Sequence, residues 1–119
     1  MGFTYVKILV CNPFEQERQK EVELLIDTGA TMSVIPRQIL DGLGIKPVKR
    51  DSFRVFGGGG IERDIGPLLL KYEDRIAFTQ VAFGEKDDTP VLGAIALETM
   101  GYQVDPVTKK LKRVDLLLL

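Results

Sequence analysis

The feature that most constrains the fold of this sequence is a short polar loop between two apolar segments. Leu24-Leu25-Ile26 is fully apolar and ends at Asp27-Thr28-Gly29-Ala30, after which Met32, Val34 and Ile35 resume an apolar pattern. Short apolar runs that are bounded by turn residues are typical of buried strands. The pattern therefore predicts a polar loop held between two buried strands, where a lone charge would be costly to bury.

Period-two alternation predicts strands on both sides of this loop. Residues 3–10 and 21–24 alternate, and the polar stretch Glu15 to Lys20 after Asn12-Pro13 is predicted to form the turn region of an opening hairpin. A second hairpin is predicted around the Glu73-Asp74 turn, and a last alternating piece runs over residues 111–116. These segments indicate an all-β domain.

Two short helices are also predicted. Pro36 suits a first helical turn, so a helix is expected over Arg37 to Asp41, with Gly42 ending it. The segment Ala94 to Met100 is rich in strong helix formers and is followed by Gly101. We predict one domain over residues 1–119, because no linker or low-complexity tract interrupts the chain.

Composition removes several classes of function. The 119 residues include 16 basic and 17 acidic side chains, one cysteine and no histidine. Without histidine, the Ser-His-Asp and Cys-His nucleophile systems are excluded, and we expect neither a metal nor an organic cofactor. The near-neutral charge predicts no nucleic-acid or membrane partner, and the basic run Lys109 to Arg113 is interpreted as a solvated strand face. The single Cys11 favours a reducing, cytoplasmic location.

Four consecutive glycines, Gly57, Gly58, Gly59 and Gly60, lie between Phe56 and Ile61. A phosphate-binding loop would need Lys and Ser or Thr after the last glycine, and a dinucleotide site would need a helix there. The flanking residues instead favour strands, so we predict a hairpin with a mobile tip.

Three of these features, in order, resemble the retropepsin-like family of aspartic proteases. Asp27-Thr28-Gly29-Ala30 is similar to the catalytic signature, Gly57 to Gly60 resemble the glycine-rich flap, and Val91-Leu92-Gly93 before a helix is similar to the second signature. The resemblance covers residues 3–105. It implies an all-β, retropepsin-like closed β-barrel (acid protease fold) with one or two short helices, in a single-domain subunit of a prokaryotic type.

The resemblance implies an aspartic endopeptidase in which two aspartates activate a water molecule, one as base and one as acid. Two carboxylates about 3 Å apart cannot both ionise, and the chain has one such motif, so a homodimer must supply the second aspartate. The apolar residues Leu25, Ile26, Leu92 and Ile95 are expected to give this pair a low-dielectric setting. The implied catalytic residues are Asp27, Thr28 and Gly29. The residues implied to bind a peptide or protein substrate are Ala30, Phe56, Gly57, Gly58, Gly59, Gly60, Ile61, Leu92 and Gly93.

Alternatives and departures stay open at this point. One alternative is that Asp27 only caps a turn, and another is a catalytically silent domain that binds extended peptides by strand addition. Thr31 and Ala94 stand where many retroviral members carry an acidic residue and an arginine, which indicates a different subfamily. The tail Tyr102 to Leu119 is longer than in retroviral subunits, and Leu116 to Leu119 are predicted to pair across the dimer interface.

Overall fold

The computed structural model describes residues 3–116 and Leu118, so the predicted pairing of Leu116 to Leu119 lies partly outside the described residues. Residues 3–116 form nine strands and two short helices. Their bounds are β1 Tyr5–Asn12, β2 Glu15–Ile26, β3 Ser33–Pro36, α1 Arg37–Gly42, β4 Lys49–Arg54, β5 Gly60–Tyr72, β6 Arg75–Gly84, β7 Val91–Leu92, α2 Ala94–Met100, β8 Tyr102–Val104 and β9 Leu111–Arg113. The predicted all-β class is confirmed.

Seven strands form one sheet in the order β1-β2-β7-β3-β6-β5-β4, and an additional pairing joins β1 to β5. Strand pairing therefore forms a ring of six strands, β1, β2, β7, β3, β6 and β5. Strand β4 pairs only with β5 and lies outside this ring. The core inside this ring is built from large apolar side chains. Those that are almost fully buried include Ile8, Val10, Leu24, Ile35, Leu70, Phe83 and Leu92.

The ends of β2 and β7 lie side by side at the centre of the sheet. They run parallel, with Leu25 opposite Val91 and Ile26 opposite Leu92. Strand β3 pairs antiparallel with β7 at Val34 and Val91. Because β2 leads into the Asp27 loop and β7 leads into Gly93, this arrangement brings the two signature segments together.

The opening hairpin is present, but the prediction of a polar turn region over Glu15 to Lys20 is wrong. The chain turns at Pro13 and Phe14, and β2 begins at Glu15. The side-chain oxygen of Asn12 accepts hydrogen bonds from the backbone N–H groups of Phe14 and Glu15, which closes the turn early. Residues 15–21 are exposed on both faces of the strand, so no apolar alternation marked them.

Both predicted helices are confirmed. Helix α1 begins after Pro36 and buries Leu40. Helix α2 buries Ala96, Leu97 and Met100 and ends at Gly101, whose φ of 76° is the left-handed conformation that glycine tolerates best. In the described part of the chain, neither helix has the length or the apolar character to cross a membrane.

The glycine-rich segment is the tip of a hairpin formed by β4 and the first half of β5. Phe53 pairs with Ile61 and Arg54 with Gly60. Gly57, Gly58 and Gly59 have φ values of 94°, 97° and 82°, so the tip needs glycine at these positions. The predicted hairpin is thus confirmed, and we call residues 49–65 the flap hairpin.

The tail forms a small separate hairpin of β8 and β9, shorter than the alternating piece predicted over residues 111–116. Arg75 holds it against the end of α2, since its Nη1 lies within hydrogen-bond distance of the carbonyl oxygens of Met100, Gly101 and Val114. Tyr102 packs edge-on against Tyr72 with ring centroids 5.2 Å apart. The tail is therefore fixed to the body of the domain.

Candidate active site

Asp27 is the first residue after β2, and the backbone of its loop is hydrogen-bonded to the end of β7 and the segment that follows it. Its N–H donates to the carbonyl of Leu92 at 3.0 Å, and the N–H of Ala30 donates back to the carbonyl of Asp27 at 3.1 Å. The carboxylate Oδ1 accepts a hydrogen bond from the N–H of Gly29 at 2.9 Å. These contacts fix both the backbone and the side chain of Asp27.

Gly29 allows the backbone to approach this carboxylate closely, as the sequence predicts. A Cβ at position 29 would lie 3.2 Å from Asp27 Oδ1, tighter than an ordinary van der Waals contact. The hydrogen bond from Gly29 also caps the turn, so the turn-capping role considered for Asp27 is present. That role accounts for the conformation of the loop, but it does not require a cleft beside the carboxylate.

Gly93 supports the Asp27 loop from behind. Its N–H donates to the buried Oγ of Ser33 at 2.9 Å, and the N–H of Ala94 donates to the carbonyl of Ala30 at 2.8 Å. A Cβ at position 93 would lie 2.7 Å from the carbonyl carbon of Met32 and 2.9 Å from the oxygen of Ala30. Only glycine lets α2 begin this close to the loop.

A cleft of about 770 Å³ separates the Asp27 loop from the flap hairpin. Its floor comes from Asp27, Gly29, residues 30–32 and Val34, and its roof comes from residues 52–56 and Ile61. Ala82, Asp88, Thr89 and Val91 complete one wall. The cleft thus has one carboxylate at its floor, a largely apolar lining and a glycine-tipped roof.

Comparisons with known proteins agree with this arrangement. A family model described as aspartyl protease matches residues 14–66, which include the Asp27 loop and the whole flap hairpin. A solved structure of the EIAV protease, in complex with the inhibitor HBY-793, superposes with a TM-score of 0.62 at 20% identity, covering 98% of this chain and 94% of that one. The chain therefore has the retropepsin-like fold, and its residues 14–66 are similar to the aspartyl protease family. A sequence comparison with curated proteins gives no significant match.

Five of the site residues predicted for this retropepsin-like chain line the cleft: Asp27, Gly29, Ala30, Phe56 and Ile61. The others lie elsewhere in the described structure. Gly57 to Gly60 form the flap tip beyond the cleft, Leu92 is fully buried in the core, and Gly93 is buried behind the loop. Leu92 therefore acts on the site through its carbonyl, which accepts the N–H of Asp27, and Gly93 acts on it by letting the backbone pack closely against Ala30.

Thr28 points away from the cleft. It lines a second depression together with α2 and the tail, next to Leu116. Phe3, Ile95 and Leu116 are exposed apolar side chains with 73%, 45% and 61% of their surface accessible. The N–H of Ile26 binds the carbonyl of Thr4, so the chain start also borders this face.

Asp27 is exposed, in contrast to the low-dielectric setting expected from its neighbours. Leu92 is buried, but Leu25 and Ile26 are only partly buried and Ile95 is exposed. The difference arises because three of these four side chains are not fully covered by the rest of the described chain. Within residues 3–116, no three Asp, Glu or Cys side chains are grouped as metal ligands.

Sequence reasoning missed an ion pair on the cleft wall. Arg63 Nε lies 2.7 Å from Asp88 Oδ2, and the pair lines the cleft. The Arg63 guanidinium holds the pKa of the Asp88 carboxyl below its usual range, and the hydrogen bond to Asp88 raises the pKa of Arg63. Arg63 is two residues from Ile61 in a predicted strand, so the sequence could have placed both side chains on the same face. No sequence pattern distinguishes Asp88 from the other charged residues of its loop.

Proposed function

We propose that this chain is one subunit of an aspartic endopeptidase that hydrolyses peptide bonds as a homodimer. The observation that carries the proposal is the exposed Asp27 carboxylate, which accepts the N–H of Gly29 at the floor of a cleft under a glycine-tipped hairpin. A single carboxylate per chain cannot act as both general base and general acid in the same step. A second copy, related by a two-fold axis, supplies the other Asp27.

The chemistry follows from two carboxyl groups at short distance. One ionised Asp27 takes a proton from a water molecule that attacks the peptide carbonyl carbon, while the other, protonated Asp27 gives its proton to the carbonyl oxygen. The shared proton between the two groups is favoured because two negative charges so close together repel each other. Burial at the interface strengthens this repulsion, since it lowers the local dielectric constant.

The face around Thr28 is our candidate for the dimer interface. It carries the exposed apolar side chain of Leu116, whose burial against a second copy would be favourable. Thr28 is proposed to hydrogen-bond across the two-fold axis and hold the two loops in register. In this arrangement Asp27, at the border of the cleft, would leave bulk solvent.

The cleft supports an extended peptide with apolar side chains beside the cleaved bond. Ala30, Val34 and Ile61 give it an apolar lining, and Phe56 stands fully exposed at the edge of the flap. Closure of the flap would bury Phe56 over the substrate and exclude water from the bond. Peptide or protein substrates are therefore the class that we propose.

A catalytically silent peptide-binding domain is the second candidate, because one observation favours it. Strand β4 pairs with β5 alone and stands at the edge of the sheet, so its other side is open to an added strand. Binding along β4 needs no carboxylate. The cytoplasmic location inferred from the single cysteine stays a prediction.

Digestion of a peptide library separates the two candidates. Wild type, Asp27→Asn and the control Asp41→Asn are compared from acidic to neutral pH at several protein concentrations. The enzyme reading predicts cleavage that rises more steeply than protein concentration, is lost in Asp27→Asn and is kept in Asp41→Asn, whose carboxylate lies on α1 outside the cleft. Peptide binding without cleavage by any of the three proteins would support the silent domain.

A further inference from the structure

Arg63 and Asp88 form the most buried ion pair in the described part of the chain. Arg63 Nε lies 2.7 Å from Asp88 Oδ2, and Nη2 lies 2.9 Å from Oδ1, so the contact is bidentate. The two side chains are 19% and 20% exposed, less than in any other ion pair of residues 3–116. Bidentate arginine–carboxylate pairs fix orientation as well as distance.

The pair joins the flap hairpin to the wall of the cleft. Arg63 belongs to β5 beyond the last residue that pairs with β6, since that ladder ends at Ile65 and Ala82. Asp88 belongs to the loop between β6 and β7, and its Oδ2 also accepts the N–H of Glu85 at 2.7 Å. The ion pair therefore connects β5 to the β6–β7 loop beyond the end of the backbone pairing between β5 and β6. Through the bond to Glu85, Asp88 also stabilises the conformation of that loop.

The opposite face of the flap base is fixed by ion pairs of the next residue, Asp64. Asp64 binds Arg37 Nη2 at 2.7 Å and Arg50 Nη1 at 3.1 Å, and Arg37 Nε binds Glu85 at 2.9 Å. Successive strand residues point to opposite faces, so Arg63 anchors the cleft side and Asp64 the outer side. Of the two anchors, only the Arg63 anchor lines the cleft.

We propose that Arg63 and Asp88 are positioning residues that set the height of the flap base above the cleft wall and thereby the affinity for the peptide. This inference rests on the proposed function. Arg63 has no free fork for a substrate carboxylate, because Nε and Nη2 bind Asp88 and Nη1 binds the carbonyl of Glu62 at 2.7 Å. The pair acts on substrate through geometry and not through direct charge recognition.

The test compares Arg63→Met, Arg63→Lys and the charge exchange Arg63→Asp with Asp88→Arg. Arg18→Met is the matched control, because Arg18 also binds a carboxylate and a backbone carbonyl, those of Glu15 and Gly42, away from the cleft. Two quantities are measured: amide hydrogen exchange of residues 49–65 and 85–90 without substrate, and KM and kcat for the library peptide that wild type cleaves fastest.

We expect Arg63→Met to raise KM about tenfold while kcat changes less than about threefold, because uniform binding is lost. The Glu85 amide should exchange about tenfold faster, since its acceptor is no longer held. If Arg63→Met does not fold, Arg63→Lys should show smaller changes in the same directions, because lysine keeps the charge but not the fork. The charge exchange should recover part of both losses.

Equal KM and exchange in the Arg63 variants and Arg18→Met would overturn the proposal. A charge exchange that recovers neither quantity would also overturn it, because Arg63 would then act without Asp88. If wild type cleaves no peptide at any concentration, the proposed function fails, yet the exchange rates still decide whether the pair holds the flap base. The two failures are thus distinguishable.

Discussion

Gly93→Ala should damage stability and catalysis together, because the methyl group has no room behind the Asp27 loop. The new Cβ would lie 2.7 Å from the carbonyl carbon of Met32 and 2.9 Å from both the Met32 and Ala30 oxygens. All three atoms are backbone, so no side-chain rotation relieves the contact. Forcing a methyl group into a well-packed site typically costs about 1–3 kcal/mol, and we place this case at about 2–3 kcal/mol.

The cost can be measured as a shift in melting temperature. For a domain of this size, each kcal/mol lowers Tm by about 4 °C, so the loss should be about 8–12 °C. Calorimetry must be run at one fixed subunit concentration, because association shifts apparent stability. At a temperature where the variant is folded, kcat/KM should fall at least about tenfold, since movement of Ala30 misplaces Asp27.

Gly42→Ala is the matched control for this substitution. Gly42 ends α1, and a Cβ there meets no atom within 4 Å. Alanine should leave stability unchanged or raise it by up to about 1 kcal/mol, because it restricts the unfolded chain. A Gly93→Ala protein as stable and as active as Gly42→Ala would contradict the supporting role of Gly93 behind the Asp27 loop.

Three further predictions concern single groups. Gly29→Ala should change stability by less than about 1 kcal/mol, because the Asp27 side chain can rotate away from the new Cβ. The same rotation should lower kcat/KM at least about tenfold, and unchanged activity would contradict this. Burial, and then the hydrogen bond to Glu73, raises the pKa of Tyr102 to about 12. The stability that this group contributes is therefore complete below its usual pKa of about 10, and it is lost as pH rises through about 12. An alkaline absorbance titration should therefore show one of the three tyrosines ionising late, and Glu73→Gln should bring it earlier; three tyrosines ionising together would contradict this. Arg63 lowers the pKa of Asp88, so the contribution of the Asp88 carboxylate to stability is complete above about pH 4 and is lost at lower pH. Carboxyl NMR should show the Asp88 pKa rising toward about 4 in Arg63→Met, and an unchanged titration would contradict the role of the pair.

Much of the fold could be predicted because its signals are local. The apolar run before Asp27, the four glycines of the flap and the segment Ala94 to Met100 each carry their pattern within a few residues. Strand β2 shows where such signals stop. Its first residues are exposed on both faces, so they read as a turn until Asn12 is seen to close the hairpin.

The site was only partly predictable, for a different reason. The resemblance pointed to Asp27 and the glycine hairpin, which border the same cleft, but it could not tell which neighbours face that cleft, and Leu92 and Gly93 lie behind it. Arg63 and Asp88 are 25 residues apart, and their contact depends on how the loop after β6 folds back. No local pattern encodes such a contact.

In the proposed mechanism each active site needs an Asp27 from two chains, and mixing subunits separates this mechanism from one that uses a single Asp27. Wild type and Asp27→Asn are combined at constant total concentration, allowed to exchange subunits, and assayed on one library peptide. If mixed dimers are inactive, activity in an equal mixture falls to about a quarter of that of wild type, following the square of the wild-type fraction. Activity that falls only to about half, as for chains that act alone, or to about three quarters, as for fully active mixed dimers, would show that one Asp27 suffices and would contradict the dimeric mechanism.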